Sequence, residues 1–295
     1  ENVFYTSVAA GDLNADGYDD EIVTAFKDGG DHLQVLVLRY QDVAWHKLAG
    51  YRYSDPDKSH GAHNICRSNG DGLQAPVRGL DVTTGDVEGD GKEEAIISFV
   101  DANNHLQTIV MGITKATSGD TEYQLQEEGY YYAEEDTRDP DYVSVAAPDL
   151  NGDALAEILV AFGGRHDCCT GEAPAQVWRL SYGMWEDDPV DTHDYGLALR
   201  RDTVWEDSEL FDKGVYKFAE YVSLAKVNVD EGVREKAILA FNDALPYKDD
   251  LIGVRLLAEP GDAESLKSEA HQDIPTGKVN NWDVSAVAGD VDKDS

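Results

Sequence analysis

Residues 8–26 read VAAGDLNADGYDDEIVTAF and crowd acidic side chains into one short turn between two apolar runs. Asp12, Asn14, Asp16 and Asp20 stand at positions 1, 3, 5 and 9 of that turn, with Gly17 at position 6. Oxygen-bearing side chains at alternate positions of a tight turn can converge on one hard cation. The glycine permits the sharp bend, and the carbonyl of Tyr18 at position 7 adds an oxygen. Ca2+ accepts about six to eight oxygens in loose geometry, whereas Mg2+ demands stricter geometry and keeps its waters. No His or Cys lies in the turn, which argues against zinc.

The pattern recurs. Residues 82–99, VTTGDVEGDGKEEAIISF, offer Asp86, Glu88, Asp90 and Glu94, with the Lys92 carbonyl at position 7. Residues 145–162, VAAPDLNGDALAEILVAF, offer Asp149, Asn151, Asp153 and Glu157, with Leu155 at position 7. Ala154 replaces the glycine of position 6 there, at a cost on the order of 1 kcal/mol if φ is positive. Residues 284–295, VSAVAGDVDKDS, supply Asp290, Asp292 and Asp294 and stop before position 9. A degenerate copy, VSLAKVNVDEGVREKAILAF (222–241), carries two extra residues and puts Lys226 at position 1. Paired with Asp230, that ammonium stands in for the ion, so no metal is expected in this copy. The expectation is three intact Ca2+ sites and a truncated fourth. A lone acidic turn is an ordinary solvated turn, because Asp, Asn and Gly are turn formers. Three with the same spacing and flanks favour calcium. An EF-hand does not fit: its twelfth position needs Glu, and here it is Val23, Ile97 and Val160.

These turns must be held by strands. The lead residues Asp12, Asp86, Asp149, Lys226 and Asp290 are 74, 63, 77 and 64 residues apart. Repeats therefore begin near residues 5, 79, 142, 219 and 283 of one domain spanning 1–295. In the first, SVAAGD leads into the loop, EIVTAF leaves it, HLQVLVLRY alternates with period two and WHKLAGYRY closes the unit. EAIISFV, LQTIVMGI and YQLQEEGYYY repeat this order. Four short antiparallel strands per unit mark all-β, propeller-type blades. Four complete repeats and the start of a fifth suit a compact propeller or part of a larger one, and the interruption inside the fifth motif favours the latter. Short helical turns are expected only in 208–224 and 261–270.

The motifs resemble the FG-GAP/VCBS repeats of integrin-alpha-like β-propellers, whose blades carry D-x-[DN]-x-D-G-x-x-D calcium loops between their first two strands. The resemblance implies the fold and the calcium. The inserts 54–78, 163–176 and 183–215 depart from the compact repeat, and the Phe-Gly part of the family name is not obvious. The family includes adhesion proteins, lectins, lyases and toxin subunits, so the resemblance leaves function open.

Composition narrows the classes. Lys+Arg 24 against Asp+Glu 59 gives a net charge of −35, which opposes binding to nucleic acid or anionic membranes. No apolar run approaches the roughly 18 residues that span a bilayer. The start at Glu1 suggests a processed or excised segment whose signal peptide is gone. Cys66, Cys168 and Cys169 leave open one bridge, a free thiol or a vicinal disulfide. With His60, His63 and His166 they form a soft-metal site only if two separate inserts meet. Trp45, Trp178, Trp185, Trp205 and Trp282, with Tyr130, Tyr131 and Tyr132, suit blade packing better than sugar stacking. Residues 184–212 are the favoured binding surface. No G-x-S-x-G, H-E-x-x-H or Gly-rich phosphate loop is present, so an enzyme is the less favoured class. The leading expectation is an extracellular adhesion or recognition module with structural Ca2+. It recognises protein or glycan, or self-associates as a surface-fibre subunit. The competing class is a lectin or polysaccharide lyase, hinted at by LRRD (199–202).

Overall fold

Alternating and fully apolar runs, separated by Gly- and Asp-rich turns, form strands of seven to eleven residues and one of four. The computed structural model describes residues 4–29, 32–53, 78–100, 106–117, 123–133, 140–164, 175–183, 194–197, 199–206, 218–228, 234–244, 250–259, 266–277 and 285–286. All regular elements among these are strands, and no helix is long and apolar enough to cross a membrane. In chain order they are β1 (Phe4–Gly11), β2 (Glu21–Lys27), β3 (Leu33–Gln41) and β4 (Ala44–Tyr53). β5 (Arg78–Gly85), β6 (Glu94–Val100), β7 (Leu106–Lys115) and β8 (Tyr123–Ala133) follow. Then come β9 (Pro140–Ala146), β10 (Ile158–Gly164), β11 (Gln176–Tyr182), β12 (Asp194–Leu197) and β13 (Leu199–Glu206). The last are β14 (Phe218–Val227), β15 (Lys236–Ala244), β16 (Asp250–Ala258) and β17 (Lys267–Gly277).

The chain divides into two units, residues 1–141 with 181–200 and residues 142–180 with 201–295. The first holds the meander β1-β2-β3-β4 and the sheet β12-β8-β7-β6-β5. Their shared core includes Val23, Ala25, Val35 and Val37 from one sheet and Ile97, Phe99, Ile109 and Met111 from the other. β2 buries alternate residues, whereas β6 is buried on both faces. The second unit holds β13-β11-β10-β9 and β14-β15-β16-β17. Leu159, Ala161 and Val177 pack there with Leu224, Leu239, Phe241 and Leu257. The ladders among the described strands are antiparallel, which fits the expected four-stranded units.

Three expectations change. Residues 218–224 and 267–270 are extended, in β14 and β17, where short helical turns were expected. The insert 183–215 supplies two strands: β12 lengthens the second sheet beyond β8, and β13 completes the third. The backbone amides of an exposed sheet edge offer the partners that these residues take.

The third change is one of register. β1, β5 and β14 each slip register beside a left-handed residue: Tyr5 (φ 48), Gly79 (φ 54) and Tyr221 (φ 55). Thr6 faces Phe26 and Ser7 faces Ala25, just as Val222 faces Phe241 and Ser223 faces Ala240. Ser223 is therefore the counterpart of Ser7, and Asn228 stands where Asp12 does. Lys226 sits on the exposed strand opposite Ala237, as Ala10 sits opposite Ile22. The degenerate copy is thus one residue shorter than the first, not longer, and Lys226 is not its first loop position.

With this phase, neighbouring sheets join in one repeated way. Ser7 Oγ accepts the Val82 amide at 3.2 Å, and Ser144 Oγ accepts the Leu224 amide at 2.9 Å. Ser223 Oγ accepts the Ala286 amide at 2.9 Å, so the start of the fifth motif docks as the earlier ones do. The Asp12 carbonyl takes the Glu93 amide at 3.0 Å, and the Asp149 carbonyl takes that of Glu235 at 2.7 Å.

Candidate functional site

Each described acidic loop is closed by its first carboxylate. Asp12 accepts the Asp16 and Gly17 amides at 3.0 and 2.8 Å. Asp86 accepts those of Gly89 and Gly91 at 2.6 and 3.0 Å. Asp149 accepts those of Gly152, Asp153 and Ala154 at 2.7, 3.2 and 2.9 Å. The chain can turn its amides inward because two residues per loop are left-handed. Position 4 is Ala15 (φ 58), Gly89 (φ 76) or Gly152 (φ 82), and position 6 is Gly17 (φ 86), Gly91 (φ 83) or Ala154 (φ 70). The expected positive φ at Ala154 is present, and Ala15 is a second strained alanine. Asp16, Asp90 and Asp153 at position 5 accept the amides of Tyr18, Lys92 and Leu155 at 3.2, 2.9 and 2.9 Å.

The base of each loop is a glutamate, buried at Glu21 and Glu94 and half-buried at Glu157. Glu94 faces Gly85 in the ladder, Glu157 donates its amide to the Pro148 carbonyl at 2.9 Å, and Glu21 faces Gly11. Glu21, not Asp20, is therefore the ladder counterpart of Glu94 and Glu157, and the first loop is one residue longer. Counting back from the aromatic that ends each run reveals it: Phe26, Phe99 and Phe162 each stand five residues after that glutamate. Glu94 Oε2 accepts the Val87 amide at 3.0 Å and Glu157 Oε2 that of Leu150 at 2.7 Å. Asn14 and Asn151 donate their side-chain amides to Glu21 and Glu157 at 2.6 and 2.7 Å. Glu21 is 0% exposed, and its Oε2 has no hydrogen-bond partner.

Burial governs the electrostatics. Desolvation, reinforced by Asp20, pushes Glu21 up to about 7. Desolvation outweighs the Val87 amide and takes Glu94 to about 8, with Glu128, Glu88 and Asp86 adding repulsion. Glu157 rises to about 7 for the same reason, against the Leu150 amide. Glu128 on β8 rises to about 7 through desolvation and the Glu88 charge, and its buried Oε2 has no hydrogen-bond partner. Glu128 lies over Gly112, where an added Cβ would meet its Oε1 at 2.2 Å. Tyr182, in the same unit, donates its hydroxyl to Glu88, and desolvation followed by that carboxylate raises its pKa. Neither Glu128 nor Tyr182 has a signal in the loop motif, because both come from distant strands.

The loops differ in the cation each already holds. In the first, Arg39 on β3 bonds Asp16, donates to Asp20 Oδ2 at 3.1 Å and lies 3.4 Å from Glu21 Oε1. Partial desolvation pushes Asp16 up, but hydrogen bonds from Arg39 and Asn14 outweigh it and hold the carboxyl below its ordinary range. In the second, the more exposed Lys92 ammonium bonds Asp90 and lowers its pKa. In the third, Asp153 Oδ2 takes an amide proton from Asn151 at 3.0 Å. In the degenerate copy the place of the base glutamate belongs to Lys236, five residues before Phe241, which pairs with Glu269 at 2.8 Å. Among the described residues, Asp16, Asp20 and Glu21 bring carboxylate oxygens within 4.8 Å of one another.

Of the remaining sequence candidates, Asp230, Asp290, Asp292 and Asp294 lie outside the described residues, as do His60, His63, Cys66, His166, Cys168, Cys169, Trp185 and Trp282. Trp178 is core, edge-on to Phe162 at 4.7 Å, and the guanidinium of Arg201 in the LRRD run lies over its ring at 4.6 Å. Tyr131 is also buried. Trp45 is 55% exposed and packs at 5.2 Å on Tyr40.

Residues 4–34 match the FG-GAP repeat family. This stretch contains β1, the first acidic loop, β2 and the start of β3. No curated protein matches the chain.

Proposed function

We propose that this chain is a β-propeller-type recognition or adhesion module whose blade loops bind structural Ca2+. The observation that carries the reading is the shared loop: a first carboxylate ringed by amides, two left-handed residues, and a buried or half-buried glutamate at the base. The donor set fits a hard divalent cation, because all its side-chain donors are oxygens and three buried carboxylate oxygens in and beside the loops, on Asp20, Glu21 and Glu128, accept no hydrogen bond. Side chains at positions 1, 3 and 5, the position-7 carbonyls and the glutamates at the base would hold the ions. Bound Ca2+ would offset the desolvation, and the repulsion added to it, that raise these glutamates, and so fix the entry of each second strand.

Recognition is assigned to inserts and outer hairpins, with protein or glycan as ligand in an extracellular, calcium-containing setting. A matching FG-GAP repeat and a charge of −35 support it. Self-association has its own support. Val8 is 63% exposed, whereas Val82 and Leu224 at the same strand position are 5% and 6% exposed. Among the described residues of its own unit, nothing covers this part of β1 as a neighbouring blade covers its counterparts, and a second copy would supply that cover.

The test is thermal melting of the chelated chain against added Ca2+. Each site should contribute about 2.7 kcal/mol at a hundredfold excess over its Kd. An unchanged melt at millimolar Ca2+ sinks the calcium reading.

A further inference from the structure

We propose that Arg39 is a tethered competitor for the cation of the first loop, so that this loop binds Ca2+ more weakly than an arginine-free version would. The inference rests on the calcium reading above. Arg39 is the ladder partner of Glu21, which places its guanidinium over the mouth of the loop. There it contacts all three carboxylates that gather in the first loop: it bonds Asp16, donates to Asp20 at 3.1 Å and reaches Glu21 at 3.4 Å. A planar fork of donors against clustered carboxylates is the strongest arrangement a side-chain cation can make.

Both oxygens of Asp16 are thereby engaged, Oδ1 by the Tyr18 amide and Oδ2 by Arg39. A metal that ligates Asp16 through Oδ2 must take that oxygen from the guanidinium. The register shows that the arrangement is particular to this repeat. Ala95 faces Met111, which puts Gly112 opposite Glu94, and Ala237 faces Leu257, which puts Ala258 opposite Lys236. At the glycine the space goes to a further carboxylate, Glu128. The second repeat thus gathers negative charge at the place where the first supplies positive charge. The single ammonium of Lys92 is also more exposed than Arg39, at 42% against 22% for the side chains. Arg39 consequently keeps the first loop ordered without an ion and grades the loops by affinity.

The probe is Tb3+ in place of Ca2+ on the full chain, excited through tyrosine. Tyr18 stands in the first loop, where the other loops carry Lys92 and Leu155, and Tyr18→Phe identifies its share of the emission. Arg39→Gln should raise the apparent affinity of that signal at least about tenfold, and Arg39→Lys should fall between. Calcium calorimetry of the remaining loops should be unchanged. A Tyr18 signal with equal or lower affinity in Arg39→Gln overturns the competition while leaving the calcium reading intact. Absence of calcium heat in every variant overturns the calcium reading itself. Should Arg39→Gln fail to fold, NMR of the wild-type Arg39 Nε–H decides. The resonance should move only after the tighter loops are filled, and movement with the first equivalent of Ca2+ overturns the proposal.

Discussion

Replacing Glu94 by Gln tests the buried base of the second loop in the calcium-free chain. Glu94 is 3% exposed, and its folded pKa of about 8 compares with an ordinary value of 4.5. Between those values the native state keeps a proton that the unfolded chain has lost. The native state therefore binds more protons, and stability falls as pH rises through the window, by about 1.4 kcal/mol per pH unit for this one group. Below pH 4.5 both states are protonated and nothing is lost. Above about pH 8 both are ionised, and the destabilisation reaches a ceiling near 5 kcal/mol. Relaxation and water entry reduce this to about 2–4 kcal/mol.

Glutamine retains an oxygen for the Val87 amide, now accepted at 3.0 Å, and removes the charge that Glu128, Glu88 and Asp86 repel. Glu94→Gln should therefore match the wild type near pH 4.5 and exceed it by about 2–4 kcal/mol at pH 8. Urea melts of chelated protein at half-unit pH intervals measure this directly. Glu21 and Glu157 still titrate, so the variant's profile should flatten without becoming level. A wild-type stability that does not change between pH 5 and 8, or a variant that declines in parallel with it, refutes the reasoning. Added Ca2+ should invert the order at pH 8, because only the wild type can then offer the carboxylate.

Ala154 has φ 70 in the third loop, so Ala154→Gly should stabilise the chain by about 0.5–1 kcal/mol in chemical denaturation. Gly91→Ala should cost about 1 kcal/mol and no more, since φ is +83 and nothing lies within 4 Å of an added Cβ. Ser144→Ala removes the acceptor of the buried Leu224 amide at 2.9 Å and should cost about 1–3 kcal/mol, read as a lower melting temperature of the second unit. Val8→Asp should leave melting unchanged and reduce self-association in sedimentation velocity, because Val8 is 63% exposed in the single chain. Loss of stability instead would show that β1 is covered within one chain.

The strands were legible because their period is local. EAIISFV and YQLQEEGYYY announce buried and half-buried strands, and β6 and β8 run Glu94–Val100 and Tyr123–Ala133. The loop pattern was legible for the same reason: a turn of nine or ten residues closes on its own first carboxylate. What the letters obscured was phase. Aligning each copy on its leading apolar residues set Val222 against Val8 and Asp20 against Glu94. A left-handed residue in β14 takes one position out of the ladder, and an extra residue lengthens the first loop. Neither changes composition, so neither shows in a motif. The phenylalanine that ends each second strand would have kept the phase, since it lies within a ladder that cannot slip without turning its side chains to the other face. Measured from that residue, the position at the base of the loop reads Glu21, Glu94, Glu157 and Lys236. The fourth repeat thus exchanges the base carboxylate for an ammonium paired to Glu269, and the first keeps its carboxylate but sets Arg39 against it. Partners drawn from other strands, Arg39, Glu128 and Tyr182, have no fixed distance from the loop in sequence, and only the sheet brings them to it. If the loops differ in their hold on calcium, the difference is written in these flanking strands rather than in the acidic motif, and substitutions at Arg39 and Glu128 should separate the affinities more than exchanges among the aspartates and asparagines of positions 3 and 5.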